Sequence, residues 1–304
     1  MTRTEASAKT LPARRKHVSR PTRVARSLGY VLLVTTALVW LAPLAWTALI
    51  SLRPYEDTAV HGYVSVPTSF SSANFWAAWT QGSMGLHLLN SLVITVPGVV
   101  LVLLLASFAG YVIVRVPVRL NLAMLLMFTA ANLLPPQVLI APLFRVYLAT
   151  PLPRWLSDSG TLYDSLFGVL LMNVAFQLGF CVFVLSNYMR TIPAEITEAA
   201  IVDGASLSRQ YWFIVLPLVR PALGALGVLE FTWIYNDFFW GLVLMQTPDK
   251  RPVTAALKSL QGTYFTDNNM LAAGALMTAI PTLLVYVILR RQMVSGLTLG
   301  STKG

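Results

Sequence analysis

The sequence predicts an all-α polytopic membrane protein with about six transmembrane helices. Three observations predict it. Only 11% of the 304 residues are charged and 56% are hydrophobic, whereas soluble domains carry about a quarter charged residues. Six apolar runs reach the ~20 residues that span a hydrocarbon core of about 30 Å. Basic residues are also spread unevenly among the connections between those runs.

The runs are Leu28–Ile50, Leu86–Val114, Leu120–Leu148, Ser165–Asn187, Pro221–Met245 and Leu271–Leu289. The first exceeds the roughly 7–15 apolar residues of a cleaved signal, so it reads as a retained span. Residues 1–27 form a basic leader, expected to be cytoplasmic and disordered. Residues 28–304 form a single transmembrane domain. The segment 51–85 carries Pro54, Gly62 and Pro67 and reads as irregular, with a short helix at Asn74–Thr80. Arg115–Arg119 leaves room only for a turn. The third run contains Pro135-Pro136, and two residues without backbone N–H groups kink or break a helix. The segment 149–164, with Pro151, Pro153 and Gly160, is a loop.

Polar residues punctuate the later runs. Asn173 and Gln177 lie at i and i+4 on the fourth and share a face, and Asn132 adds an amide from the third. The fifth carries Glu230, Tyr235, Asn236 and Asp237. Glu230 and Asp237 are two helical turns apart, which predicts a common face turned to the bundle interior or to water. The segment 246–269 reads as a polar connector. Cys181, the one cysteine, excludes an internal disulfide and reads as a small buried apolar residue. Three dispersed histidines, His17, His61 and His87, make neither a metal centre nor a catalytic triad.

The formal charge of +10 raises the question of nucleic acid. Placement answers it. With the N-terminus inside, 16 of the 22 basic residues fall on inner segments and 6 on outer ones. That asymmetry follows the positive-inside rule and predicts that both termini are cytoplasmic. The basic leader is a topology anchor, and no nucleic-acid partner is expected.

The long inner segment between the fourth and fifth runs is the most informative. Pro193 suits the first turn of a helix, where a missing N–H costs nothing. Glu195 sits near the positive end of the helix dipole. Ile196, Ala199 and Ala200 form a low-profile apolar face. Gly204 suits a left-handed cap and Ser206 the start of a second helix. An amphipathic helix lying on the membrane is the weaker reading, because large hydrophobes and a basic stripe are lacking. The segment contains Glu198-Ala199-Ala200, then Gly204, then Ile214 and Leu216-Pro217. This resembles the EAA signature of ABC importer permeases, EAA-x3-G-x9-I-x-LP, at every defined position.

The resemblance to the maltose-type permeases of carbohydrate ABC importers extends from about Leu28 to the end. Leu89-Asn90-Ser91-Leu92, Trp233-Ile234-Tyr235-Asn236-Asp237-Phe238, and Gly296-Leu297-Thr298 with Lys303-Gly304 all resemble that group. Tyr235 stands where Trp is frequent, and Gly241 where Pro is common. The resemblance implies a type I ABC importer permease fold in a bacterial cell membrane, with a cytoplasmic coupling helix in the segment 191–217. It implies that Glu198, Ala199, Ala200, Asp203 and Gly204 dock onto a partner ATPase. It also implies a substrate pathway, for which Glu230, Tyr235, Asn236, Asp237, Asn173 and Gln177 are the candidates, since sugars are held by amides, carboxylates and aromatic faces. The expected partners are a second homologous permease, two ATPase subunits, an extracytoplasmic solute-binding protein, a carbohydrate substrate and membrane lipid. The segment 246–269 is either the region that meets the binding protein or a solvated connector. No G-x-x-x-x-G-K-[ST] loop exists here, so ATP and Mg are expected on the partner ATPases and no cofactor on this chain. Alternatives are a permease for a polyol or glycerol phosphate, a stand-alone secondary transporter, or a polytopic membrane enzyme.

Overall fold

The computed structural model describes residues 23–115, 121–131, 135–260 and 266–298. Asn132, the Arg115–Arg119 turn beyond its first residue, most of the leader and the terminal Lys303-Gly304 lie outside them. The chain divides into two units, residues 1–46 and 47–304. In the first, the described residues belong to α1 (Arg23–Ser51), whose leucines and valines are exposed along its length.

The second unit contains α2 (Tyr55–His61), α3 (Ala73–Gln81), α4 (Met84–Arg115), α5 (Asn121–Ala131), α6 (Ile140–Ala149) and α7 (Leu166–Met189). The segment between α7 and α11 supplies α8 (Ala194–Val202), α9 (Leu207–Gln210) and α10 (Leu216–Leu218), with a π turn at Tyr211–Val215. Then come α11 (Arg220–Tyr235), α12 (Phe239–Leu244), α13 (Val253–Leu257) and α14 (Asn268–Thr298). Among the described residues, α1, α4, α7 and α14 are single helices long and apolar enough to cross a membrane. The core sits where α4 packs along α7, with α11 laid against both α4 and α14.

Two predicted spans are interrupted. The third run is not one helix but two short ones, α5 and α6, separated by Pro135 and a 3-10 turn over Pro136–Leu139. The proline pair removes two consecutive donors, so the i→i−4 ladder cannot pass through it. The fifth run ends early. Its helix stops at Tyr235 and restarts at Phe239. The Asp237 carboxylate accepts the Trp240 N–H at 3.2 Å, satisfying one of the orphan donors that open α12. The common face predicted for Glu230 and Asp237 therefore does not exist. At its other end α11 meets the helical stretch Leu207–Leu218 at 72°.

The segment 246–269 is also not a solvated connector throughout. Pro252, Val253, Ala255 and Ala256 are buried. The Val253 N–H is held by Ser91 Oγ at 2.8 Å, and Asn90 donates to the Asp249 carbonyl at 2.7 Å. An apolar Pro-Val-Thr-Ala-Ala-Leu stretch inside a polar loop was the overlooked sign. The segment 51–85 contains α3 where a helix was expected, but it is pinned rather than loose. Arg53, 1% exposed, bonds Asp57 at 2.6 Å and the carbonyls of Gly62 and Ser65. Asn269 of α14 donates to the Arg53 carbonyl at 2.7 Å.

The mouth of α7 has a tight joint. Ser165 Oγ accepts the Gly168 N–H and donates to the Leu162 carbonyl. A Cβ on Gly168 would collide with that same carbonyl. Gly168→Ala is expected to destabilise the protein by about 1–3 kcal/mol, the usual cost of overpacking a filled site. Thermal unfolding of purified protein in nanodiscs checks this, with an unchanged midpoint as the contrary result.

Two carboxylates outside the spans carry a pH dependence. The Thr68 hydroxyl and the Arg53 guanidinium hold Asp57 well below the ordinary carboxylate range. Burial would raise Asp164, but the Thr247 hydroxyl, the Thr247 and Gln246 N–H groups and the Lys250 charge together lower it. A depressed folded-state pKa means that the stabilisation is present above the unfolded value, near pH 4, and is lost as pH falls through the lower folded value. The melting temperature is thus expected to hold steady from pH 7 to about 4 and fall below that. Asp164→Asn should flatten the acid limb measured across the same series.

Candidate functional site

Two regions gather the predicted site residues. The first is the elbow formed by α8 and α9. Pro193 stands at the N-cap of α8, one position before the predicted first turn, with φ −53° and ψ 135°. Glu195 occupies the first turn. The helix closes on Gly204 at φ +75°. The Ala205 N–H reaches the Ala200 carbonyl at 2.9 Å and the Gly204 N–H reaches that of Ile201 at 2.9 Å, the paired bonds of a Schellman cap. Ser206 then accepts the Arg209 N–H at 3.3 Å and opens α9.

The elbow is fastened to α4. Tyr211 Oη lies 2.7 Å from Ser107 Oγ, and its ring meets Phe108 edge-on at 5.6 Å between centroids. Tyr111 Oη donates to the Leu207 carbonyl at 3.2 Å, and Arg115 to that of Ile192 at 3.0 Å. A displacement of α8 therefore has a stiff route into a long helix of the core.

Glu198, Ala199, Asp203 and Gly204 are exposed. Ala200 is not. It is 7% exposed and faces inward with Thr197, so the predicted Ile196-Ala199-Ala200 face is divided between two sides of the helix. The exposed side instead carries Ile201 and Val202, 60% and 86% exposed. Exposed apolar side chains grouped together mark contact sites. Their position directly after Glu198-Ala199-Ala200 was the available signal. A groove of about 400 Å³ adjoins them, lined by Ala200, Asp203, Ala205, Arg209, Phe213 and Ile214.

The second region is a cavity of about 410 Å³. Of the six pathway candidates, Asn173, Gln177 and Asp237 line it. Asn173 Nδ2 donates to Asp237 Oδ2 at 3.2 Å, bridging α7 to the break before α12. Gln177 makes no hydrogen bond to any described residue, so its amide is unengaged. Phe176, Phe180, Trp233 and Trp240 supply aromatic walls, and Pro136 completes the lining. Phe180 meets Trp233 at 5.1 Å and Phe176 meets Trp240 at 5.3 Å between centroids. These rings were missed, though Phe176 and Phe180 repeat the i, i+4 spacing of Asn173 and Gln177.

The other three candidates lie elsewhere. Glu230 is fully buried and accepts from Cys181 Sγ at 3.0 Å. Cys181 is buried as predicted, but it is a donor rather than an inert filler. Tyr235 is 1% exposed and donates to the Thr278 carbonyl at 2.9 Å, fastening α11 to α14. Asn236 turns back onto the Thr232 carbonyl at 2.8 Å and closes α11. None of the three lines the cavity.

Comparison with known proteins places this geometry. The family model described as "Binding-protein-dependent transport system inner membrane component" matches residues 102–293. The osmoprotective compounds uptake permease protein GgtD of Synechocystis sp. is 31% identical over 90% of this chain and 91% of its own length. The diacetylchitobiose uptake system permease protein NgcG of Streptomyces coelicolor is 28% identical over 90% of this chain and 88% of its own. The melibiose/raffinose/stachyose import permease protein MelC of Bacillus subtilis is 28% identical over 78% and 83%. A chain from the crystal structure of a bacterial ABC transporter that imports the acidic polysaccharide alginate superposes with a TM-score of 0.71. It shares 22% identity and covers 90% of this chain and 98% of that one, so the fold is the expected ABC importer permease fold. The relatives are transporter subunits rather than enzymes. The chain belongs to the family of inner-membrane components of binding-protein-dependent transport systems.

Proposed function

We infer that this chain is the membrane-spanning permease subunit of an ATP-driven carbohydrate importer working by alternating access. The observation that carries the substrate class is the cavity beside α7. It combines two amides, one carboxylate and four aromatic rings, the mixture that reads hydroxyl groups at its edges and apolar ring faces at its walls. The names of NgcG and MelC, both oligosaccharide permeases, support the same class.

The elbow takes the motor's force. Glu198, Ala199, Asp203 and Gly204, with Ile201 and Val202 beside them, form the surface offered to an ATPase subunit, and Ala200 packs the helix onto its own chain. Two such ATPases bind ATP and Mg. Their closure moves α8, and Tyr211 passes the motion to α4 as a rigid-body switch. A second, homologous permease completes the pathway, and an extracytoplasmic binding protein delivers the sugar. Both termini and the elbow are cytoplasmic.

Uptake by proteoliposomes tests this reading. Accumulation is expected only when ATP, both permeases, the ATPases and the binding protein are all present, and vanadate should stop it. ATP-independent accumulation by this chain alone contradicts the reading.

A further inference from the structure

We propose that the cavity beside α7 selects neutral carbohydrates and rejects anionic ones, with Asp237 as the residue that sets this preference. The inference rests on the carbohydrate reading and goes beyond it, since carbohydrate importers as a class include one for an acidic polysaccharide.

Charge is the ground for it. The cavity lining contains one carboxylate and no Lys, Arg or His. The two stretches that supply the rest of the lining beside Pro136 are equally bare of cations. No charged residue occurs from Leu166 to Met189, and no cation from Pro221 to Asp249. A uronate or sugar phosphate entering here would leave water with no opposite charge on this chain to meet it, which is the costly case for a buried ion. Asp237 adds a like charge at the wall. Both of its oxygens already act as acceptors, from Asn173 Nδ2 and from the Trp240 N–H, so it is fixed in place rather than free to swing away. Arg and Lys are the side chains that recognise carboxylate and phosphate, and the lining has neither.

A neutral sugar meets a different surface. The Gln177 amide has both a donor and an acceptor free for hydroxyls. Trp233, 43% exposed and braced edge-on by Phe180, offers a flat apolar face. Asn173 lies seven residues into α7, about 10 Å along the helix axis, so the contacts fall well inside the span.

The test has two readings. Proteoliposomes holding the complete importer are incubated with a mixture of neutral di- and trisaccharides, their uronate counterparts, sugar phosphates and amino acids, and the accumulated solutes are identified by mass spectrometry. Accumulation of neutral saccharides alone is expected. Accumulation of a uronate or sugar phosphate at a comparable rate overturns the inference but leaves the carbohydrate reading standing. Accumulation of amino acids alone overturns the carbohydrate reading itself. The second reading addresses Asp237. In the importer complex without binding protein, tryptophan fluorescence reports Kd for the transported trisaccharide and for its uronate form. Asp237→Asn keeps an acceptor for the Trp240 N–H and removes the charge. The ratio of the two Kd values is expected to shift toward the uronate by about tenfold, equivalent to about 1.4 kcal/mol. An unchanged ratio, or no preference in the parent protein, removes Asp237 from selection.

Discussion

Gly204→Val is expected to abolish transport while leaving the protein full length and inserted. Gly204 holds φ +75° at the Schellman cap that turns α8 into α9. A side chain there meets no neighbour within 4 Å, so the effect is not a clash. It is conformational: a left-handed residue with a Cβ costs about 1–2 kcal/mol, and β-branched valine tolerates that region poorly. The chain relieves the strain by opening the cap, which swings α8 relative to Tyr211 and α4. Because Gly204 itself is exposed and an added side chain meets no packed neighbour, insertion and folding are preserved. Glu198→Lys tests the same surface by charge reversal at an exposed position. Both variants should lose uptake and binding-protein-stimulated ATP hydrolysis together. Uptake at the parent rate in both would mean that the elbow transmits nothing.

The second large effect is expected at the cavity. Trp233→Ala removes the aromatic wall braced by Phe180, and Gln177→Ala removes the unengaged amide. A lost aromatic contact is worth about 0.5–1.5 kcal/mol beyond area burial, and a lost hydrogen bond about 1 kcal/mol. With the buried area counted, each single variant should lower uptake efficiency by roughly tenfold, since about 1.4 kcal/mol corresponds to a factor of ten. ATP hydrolysis stimulated by unliganded binding protein should persist in both, because the elbow is intact. Glu230→Gln is the contrasting variant. Glu230 is buried against Cys181 outside the cavity, and glutamine keeps the accepting oxygen, so uptake is expected to continue. Loss of uptake in Glu230→Gln with none in Trp233→Ala would move the sugar to another wall.

The parts legible in the sequence were those governed by local rules. Helix length and apolarity located α4 and α7 to within a few residues and found α1 and α14, although α1 starts five residues before the predicted Leu28 and α14 runs nine residues past the predicted Leu289. The Gly204 cap and the Ser206 start followed from turn chemistry, and the break at Pro135-Pro136 from missing donors. What depended on tertiary partners was not legible. Glu230 and Asp237 looked equivalent on a helical wheel, yet Asp237 caps α12 and ends the wheel before reaching it. Tyr235 looked like a pathway residue because of its neighbours, but the Thr278 carbonyl claims its hydroxyl. Ala200 belonged to the signature and so was placed on the docking face, whereas burial divides that helix by side and not by motif. The 252–257 stretch was hidden because the loop around it is polar and only packing on α4 makes it structural.

Cross-linking at the elbow tests the docking of a motor subunit most directly. Cys181 is fully buried, so Glu198→Cys adds the one accessible thiol among the described residues. In membranes that contain the whole importer, this thiol is expected to cross-link to an ATPase subunit, with a yield that changes when ATP is bound. In intact cells it should resist impermeant thiol reagents. Labelling of Glu198→Cys from outside the cell, with no cross-link to the ATPase, would contradict the account.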